Sequence, residues 1–103
     1  MSEATRIRAT VKDGITEVVI RMAHPMEPGQ RRAPSGERLP PHHITDFAVY
    51  HGERQVLGGQ FGGGISANPH LVFRFRGGAA GEELSVRWAD NRGVMRRDSV
   101  KIG

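Results

Sequence analysis

The sequence of 103 residues contains no cysteine. Disulfide bonds, zinc–thiolate sites and covalent chemistry on a thiol are therefore excluded for this chain. No apolar run approaches the roughly 20 residues that a membrane-spanning helix needs. The first residues, MSEATRIRATVKDG, contain no apolar segment of the kind found in export signals, so we expect the chain to carry no export signal of its own. The residues alone therefore favour a cytoplasmic protein.

Helical periodicity is also missing, because no segment places apolar residues at positions i, i+3, i+4 and i+7. Fourteen glycines and six prolines would interrupt such a stripe. Alternation with a period of two is present instead, which is the pattern of strands with one buried face and one solvated face. The alternating apolar sets are Ile7, Ala9 and Val11; Val18, Ile20 and Met22; Leu71, Phe73 and Phe75; and Leu84, Val86 and Trp88.

Turn signals separate these strands, at Asp13-Gly14, His51-Gly52 and Asn91-Arg92-Gly93. About seven short strands at this spacing predict an all-β fold, an immunoglobulin-like antiparallel β-sandwich. We expect a single domain over residues 1–103. A small Greek-key barrel is the structural alternative.

The charge balance is moderately basic. Fifteen Lys and Arg residues against eleven Asp and Glu residues give a formal net charge of +4, and the arginines are spread along the chain. The segment FRFR raises the possibility of a small nucleic-acid-binding barrel, because such sheets display aromatic and cationic side chains together. Here Phe73 and Phe75 alternate with Arg74 and Arg76, so the aromatic rings should lie in the core. The pattern therefore disfavours nucleic acid as a partner.

Three histidines, His24, His42 and His43, are the candidate metal ligands. Adjacent residues of a strand point to opposite faces, so His42 and His43 cannot easily share one ion. No H-x-x-x-H spacing is present either. We predict one packed and one exposed histidine in this pair, and no metal site.

The glycine-rich segment 58–69 contains Gly62-x-Gly64-x-x-Ala67, which formally matches a dinucleotide fingerprint. That fingerprint requires a helix to begin at this point, but Asn68-Pro69 follows at once and a strand resumes at Leu71. No nucleophile and base are recognisable, and Asp90-Asn91 is typical of a turn. The sequence therefore predicts no cofactor, no catalytic residue and no enzymatic activity.

Residues 23–41 hold five of the six prolines and do not fit a strand. A connection of this length inside a compact domain is typically functional or disordered. Prolines stiffen it, and arginines offer planar donor groups suited to carboxylates. We interpret the segment as a protein-contact surface, with a mobile solvated hairpin tip as the alternative. The predicted contact residues are His24, Pro25, Met26, Glu27, Arg31 and Arg32.

Three blocks of the sequence together resemble one family. RMAHPMEPGQRR followed by LPPHHI resembles a "hydrophobic strand, His-Pro-Met-Glu-x-Gly, basic residues" element. GISANPHLVFRFRG resembles an S-x-N-P-x-x-x-F-x-F block, and GEELSVRWADNRG resembles a W-x-D-N-x-G turn. With RIRAT near the start, the resemblance to the SoxZ family extends over nearly the whole chain. The chain departs from the pattern in its richer glycine run at 62–64 and in Pro28, where threonine is common.

This resemblance implies an immunoglobulin-like sandwich and a non-catalytic role in thiosulfate oxidation. SoxZ proteins pair with SoxY, whose C-terminal Gly-Gly-Cys-Gly-Gly arm carries the sulphur intermediates. The implied assembly is a SoxYZ heterodimer, with a heterotetramer as the alternative. The implied transient partners are a c-type cytochrome complex, a thiosulfohydrolase and a sulphur dehydrogenase. The resemblance also replaces the cytoplasmic assignment with a periplasmic one, because the family is exported together with SoxY. A β-sandwich module for other protein partners is the functional alternative.

Overall fold

Each alternating segment of the sequence forms a strand. The structure is a computed structural model that describes residues 3–62 and 64–103. Its elements in chain order are β1 (Arg6–Lys12), β2 (Ile15–Arg21), β3 (Ile44–His51), β4 (Arg54–Gln60), β5 (His70–Arg76), β6 (Glu83–Asp90) and β7 (Met95–Lys101). None of the described residues forms a helix long and apolar enough to cross a membrane.

The strands form two antiparallel sheets. One sheet has the order β1-β2-β5 and the other the order β4-β3-β6-β7. The two sheets are not joined into a closed barrel, so the predicted seven-stranded sandwich is confirmed and the Greek-key barrel is excluded. Sheets that pack face to face in this order have the arrangement of an immunoglobulin-like sandwich.

The core lies between the inner faces of the sheets, where the sequence pattern places it. One cluster contains the buried apolar residues from both sheets. Its largest fully buried members are Trp88, Ile20, Met22, Ile44 and Leu84. The aromatic residues of β5 face this core while Arg74 and Arg76 are exposed, as the alternation predicts. The rings are therefore not displayed beside the cations.

The connection between β2 and β3, residues 23–43, is an ordered excursion that we call the arm. Its base is closed by paired backbone hydrogen bonds between Glu27 and His42, with N–O distances of 2.7 and 2.9 Å. A second bridge joins Arg32 and Arg38, and Leu39 N donates to Arg31 O at 2.8 Å. The arm is therefore an irregular hairpin.

The arm makes the molecule long. A compact chain of this size has a radius of gyration of about 13 Å, whereas this one has 15.5 Å and a longest dimension of 54 Å. Strands of seven or eight residues extend only about 25 Å. Most residues between 30 and 40 are exposed, so we assign the additional length to the arm.

The glycine-rich segment 58–69 is the second stretch predicted not to form a strand, but its residues 58–60 belong to β4, and residues 61–69 join β4 to β5. Of the glycine run at 62–64, Gly63 lies outside the described residues. Asn68 adopts a positive φ of 53°, and β5 begins at His70 without a helix before it. The amide array that a dinucleotide needs is therefore missing from the described part of this connection.

Candidate functional site

At the base of the arm, both the backbone N–H and the backbone C=O of His24 are hydrogen-bonded to Asn68. His24 N donates to the Asn68 side chain at 3.0 Å, and Asn68 N donates back to His24 O at 2.8 Å. Just before it, Met22 N donates to Pro69 O at 2.9 Å. The β4–β5 connection thus fixes the point at which the chain leaves the core and enters the arm.

The carboxylate of Asp90, at the end of β6, joins the outgoing and the returning segment of the arm. Its Oδ2 accepts from His24 Nε2 at 3.1 Å and from His42 Nε2 at 2.9 Å. Its Oδ1 accepts from the backbone amides of Arg92 and Val94, both at 2.9 Å. The Asp90 side chain is 1% exposed. We call His24, His42 and Asp90 the anchor cluster, because one buried carboxylate with four donors ties the arm to the sheet.

The protonation of His24 follows from its second ring nitrogen. Met26 N donates to His24 Nδ1 at 3.0 Å, so Nδ1 is an acceptor and the proton lies on Nε2, which donates to Asp90. Burial lowers the pKa of His24 more than the hydrogen bond to Asp90 raises it. Burial alone would raise the pKa of Asp90, but hydrogen bonds from His24, Val94, His42 and Arg92 lower it overall. The cluster therefore holds a neutral imidazole against an ionised carboxylate.

The anchor cluster is also the one place in the described chain where three side chains that could bind a metal meet. One ligand atom from each of its residues lies within 4.8 Å of the others. A metal on His24 Nε2 would have to displace the proton there, and Nδ1 would then meet the Met26 amide as donor against donor. His43 lies apart, with its backbone N on Asn91 Oδ1 at 2.9 Å. The donor set fits a hydrogen-bonded anchor better than a metal centre.

A cavity of about 490 Å³ opens beside the anchor cluster and includes Trp88 in its lining. The ring of His24 meets that of Trp88 edge to face, with centroids 5.2 Å apart. The lining mixes acidic and apolar side chains, with Glu3 and Asp90 beside Pro25 and Val94. It offers no row of donors for a phosphate, and so does not fit a nucleotide cofactor.

Two of the six predicted contact residues are not at the surface. His24 and Met26 are each 4% exposed, so they offer no area to a partner in this structure. Met26 adopts a positive φ of 50°, and its sulphur accepts a hydrogen bond from Ile44 N at 3.3 Å. They hold the arm from the inside, and their part in partner binding stays a prediction.

The other four predicted residues lie on the arm's outer side. Pro25, Arg31 and Arg32 are exposed and Glu27 is half-buried. The guanidinium of Arg31 donates to both carboxylate oxygens of Glu27, and the shortest N–O distance is 2.6 Å. This pairing lowers the pKa of Glu27. Arg32 donates to Gly36 O at 2.9 Å. Partner binding by these residues stays a prediction.

Of the adjacent histidines, neither is fully exposed and neither is fully buried. The His42 side chain is 25% exposed and contacts Asp90, whereas His43 Nδ1 lies 3.2 Å from its neighbour's carbonyl, Ile44 O. The expectation of one packed and one exposed histidine is therefore not met.

Asp90 does form the expected turn, but sequence reasoning missed its second role, which is to accept hydrogen bonds from His24 and His42. The feature of the sequence that points to this role is the position of His24 and His42 on either side of a proline-rich segment.

The comparisons with solved structures bear on the fold. A hypothetical protein from Pyrococcus horikoshii is 18% identical, with a TM-score of 0.70, over 99% of this chain and 89% of that chain. A superoxide reductase from Nanoarchaeum equitans is 13% identical, with a TM-score of 0.69, over 98% of this chain and 93% of that chain. At these identities the likeness shows the fold alone. No curated protein sequence matches the chain.

A family match bears on identity. The family described as "Sulphur oxidation protein SoxZ" matches residues 5–101. This range includes all seven strands, the arm and each residue of the anchor cluster. The chain therefore belongs to the SoxZ family of sulphur oxidation proteins.

Proposed function

We propose that the protein is the non-catalytic subunit of a SoxYZ sulphur carrier and pairs with SoxY. The observation that carries this proposal is the family match over residues 5–101. The lack of cysteine supports it, because a second thiol would compete for the sulphur adducts on the SoxY arm. In this division of labour SoxY holds the intermediates and the present chain supports SoxY.

The chemistry of the anchor cluster supports a structural role. A general base needs a free lone pair near its substrate. His24 Nδ1 already accepts from Met26 N, and both Nε2 atoms lie on Asp90. His24 therefore holds the arm and is not positioned to take a proton from a substrate.

The test is co-expression with the reading frame that encodes a protein ending in Gly-Gly-Cys-Gly-Gly. We expect a 1:1 complex that survives affinity purification and gel filtration. A neighbouring β-sandwich protein without that ending serves as the control. Failure of the two chains to associate contradicts the proposal.

The arm is the proposed contact with SoxY or with a visiting enzyme of thiosulfate oxidation. Its exposed Pro25, Arg31 and Arg32 lie on a hairpin fixed by the anchor cluster. A segment ordered before docking loses less entropy on binding than a mobile one. This favours recognition by the arm over the interpretation as a mobile tip.

The proposed compartment is the periplasm, which the chain would reach folded together with SoxY. Fractionation of cells tests this. The chain should appear in the periplasm when SoxY carries its export signal and stay in the cytoplasm when that signal is deleted. Export without SoxY would contradict co-transport.

A further inference from the structure

The solvent side of the β1-β2-β5 sheet is the second unusual surface of the molecule, and we call it the basic face. The strand register arranges its outward side chains in four rows of three. All but Glu17 and Val19, which are half-buried, are exposed. Its cationic side chains are Arg6, Arg8, Lys12, Arg21, Arg74 and Arg76.

The charge of the protein is concentrated here. Six cations against the single carboxylate of Glu17 give the basic face +5, whereas the whole chain carries +4. The remaining surface therefore has a slight excess of acid. A concentrated field of one sign directs charged partners to one side of a molecule.

The end row carries an energetic cost. Arg6 lies directly opposite Arg21. Like charges in directly opposed cross-strand positions destabilise a sheet. Among the described residues Glu17 pairs with Arg74 at 3.0 Å, but no carboxylate pairs with Arg6, Arg8 or Arg21. A cleft of about 270 Å³ lies between these three arginines and His70, so the uncompensated donors converge on one space.

Three aliphatic side chains lie among the cations of the face, Ile15 in the row of Lys12 and Arg76, and Val19 and Val72 in the row of Arg8. Val72 is 59% exposed and Ile15 is 41% exposed, and Val19 lies between Arg8 and Val72 in the same row. Surfaces that bind single-stranded nucleic acid stack bases on aromatic rings beside their cations. The basic face has none, because Phe73 and Phe75 point inwards. Aliphatic groups surrounded by arginine suit a protein surface instead.

We propose that the basic face docks the acidic surface of a second protein, in which carboxylates surround an aliphatic contact. The carboxylates take the forked donors of Arg6, Arg8 and Arg21, and the aliphatic contact covers Val72 beside Val19. Complementary charge between exposed side chains raises the association rate more than the affinity, so we expect a transient docking guided by charge.

This inference rests on the proposed function in its choice of partner, which is an enzyme that visits the carrier complex. The experiment uses the purified carrier complex with reconstituted thiosulfate oxidation. The test variant is R8E/R21E, with R8Q/R21Q as a milder form. The matched control is R54E/K101E, which makes the same charge change at two exposed positions of the other sheet. Gel filtration first establishes that each variant still forms the 1:1 complex.

We expect R8E/R21E to raise the KM for the carrier complex about tenfold or more at low ionic strength, with kcat changed less than about twofold. R8Q/R21Q should raise it less, and R54E/K101E by less than about twofold. At about 0.15 M salt, where screening acts over ~8 Å, the difference should shrink.

Three results would overturn the proposal. The first is an unchanged KM for R8E/R21E in an intact complex. The second is loss of the complex in R8E/R21E but not in R54E/K101E, which assigns the face to SoxY. The third is tight binding of a 20-nucleotide single-stranded DNA that the R8E/R21E change abolishes, which assigns it to nucleic acid. A complex that never forms with wild-type chain contradicts the proposed function instead.

Discussion

Asp90 is the side chain on which the position of the arm depends. Its two oxygens accept four hydrogen bonds, two from histidines at the two sides of the arm and two from its own turn. A fully satisfied buried carboxylate specifies one arrangement of its donors. Removing the carboxylate would lower the stability of the fold, because its four donors would be buried without an acceptor in place of water.

Replacing Asp90 by Asn keeps the shape but supplies one acceptor instead of two. If the oxygen serves the turn amides, the new amide group meets the Nε2 protons of His24 and His42. We expect Asp90→Asn to lower the free energy of unfolding by about 3 kcal/mol and the Tm by more than about 10 °C. Asp13→Asn is the control: Asp13 is exposed with a positive φ of 53°, which Asn tolerates. Equal melting of the two variants would refute the anchor.

His24 predicts how stability depends on pH. Its buried imidazole has a pKa below the ordinary 6.5, so the unfolded chain binds a proton at a pH where the folded chain does not. This contribution is complete above pH 6.5 and is lost as pH falls from 6.5 through the folded pKa, by up to about 1.4 kcal/mol per pH unit. Urea unfolding across this window should show the slope for wild type and a reduced slope for His24→Gln.

The control for this measurement is Ser99→Gln, at an exposed and non-ionisable residue on β7. It should keep the wild-type slope. A slope that disappears equally in both variants, or persists fully in His24→Gln, would contradict the assignment of a buried neutral imidazole.

Sequence reasoning placed some side chains correctly and others not, for a physical reason. Trp88 and Ile20 were identified as core because alternation along a strand is local. His24 and Met26 were assigned to the surface because the proline-rich segment has no period from which a face can be read. Their burial depends on a φ reversal at Met26 and on Asp90, which is 66 residues away from His24.

At the scale of elements, the arm turns at Gly29. This residue has a φ of +86°, and a Cβ there would lie 3.0 Å from Pro41 Cβ on the returning chain. Gly29→Ala therefore adds a steric contact to the cost of a positive φ. Gly36→Ala is the matched control, with φ +91° and open space around it.

We expect Gly29→Ala to loosen the arm base while leaving the sandwich folded. Hydrogen exchange should accelerate at the amides of Glu27 and His42, which form the base bridge, by about fivefold or more relative to Gly36→Ala. Equal exchange in the two variants would show that the contact with Pro41 has no effect.

Arg31 and Arg32 test the role of the arm in recognition. Arg31→Ala/Arg32→Ala removes exposed groups, so the Tm should stay within about 3 °C of wild type. Binding to SoxY or turnover in the reconstituted assay should fall about tenfold or more. Arg54→Ala/Lys101→Ala controls for loss of charge. A double variant that binds and turns over like wild type would make the arm a solvated loop.

At the scale of the whole molecule, the fold was predictable because four of the strands, β1, β2, β5 and β6, carry the same local alternation and turn signals separate the strands. The arrangement of the arm was not, because three separate connections meet there: the arm, the β4–β5 segment at Asn68 and the β6–β7 turn at Asp90. Two sheets can pack together when apolar and polar residues alternate along their strands. This junction forms only when particular donors face particular acceptors.

Chelation tests the whole molecule for a metal. A ligand bound only to the native state raises stability, so its removal lowers the Tm. We expect no change in the Tm with EDTA, because the His24 proton faces Asp90 and Met26 N faces Nδ1. A fall of several degrees that a divalent ion reverses would show that the anchor cluster holds a metal.

The position of Asp90 in the chain also has a consequence for biosynthesis. Synthesis proceeds from the N-terminus and domains fold as units, so His24 and His42 leave the ribosome long before the carboxylate that unites them. Until then the nascent arm has its own bridges, at Glu27–His42 and Arg32–Arg38, and the hydrogen bonds between His24 and Asn68. The histidine rings are thus tied to the sheet only when the sixth strand has been added, and a nascent chain that stops short of residue 90 lacks the carboxylate of the anchor cluster.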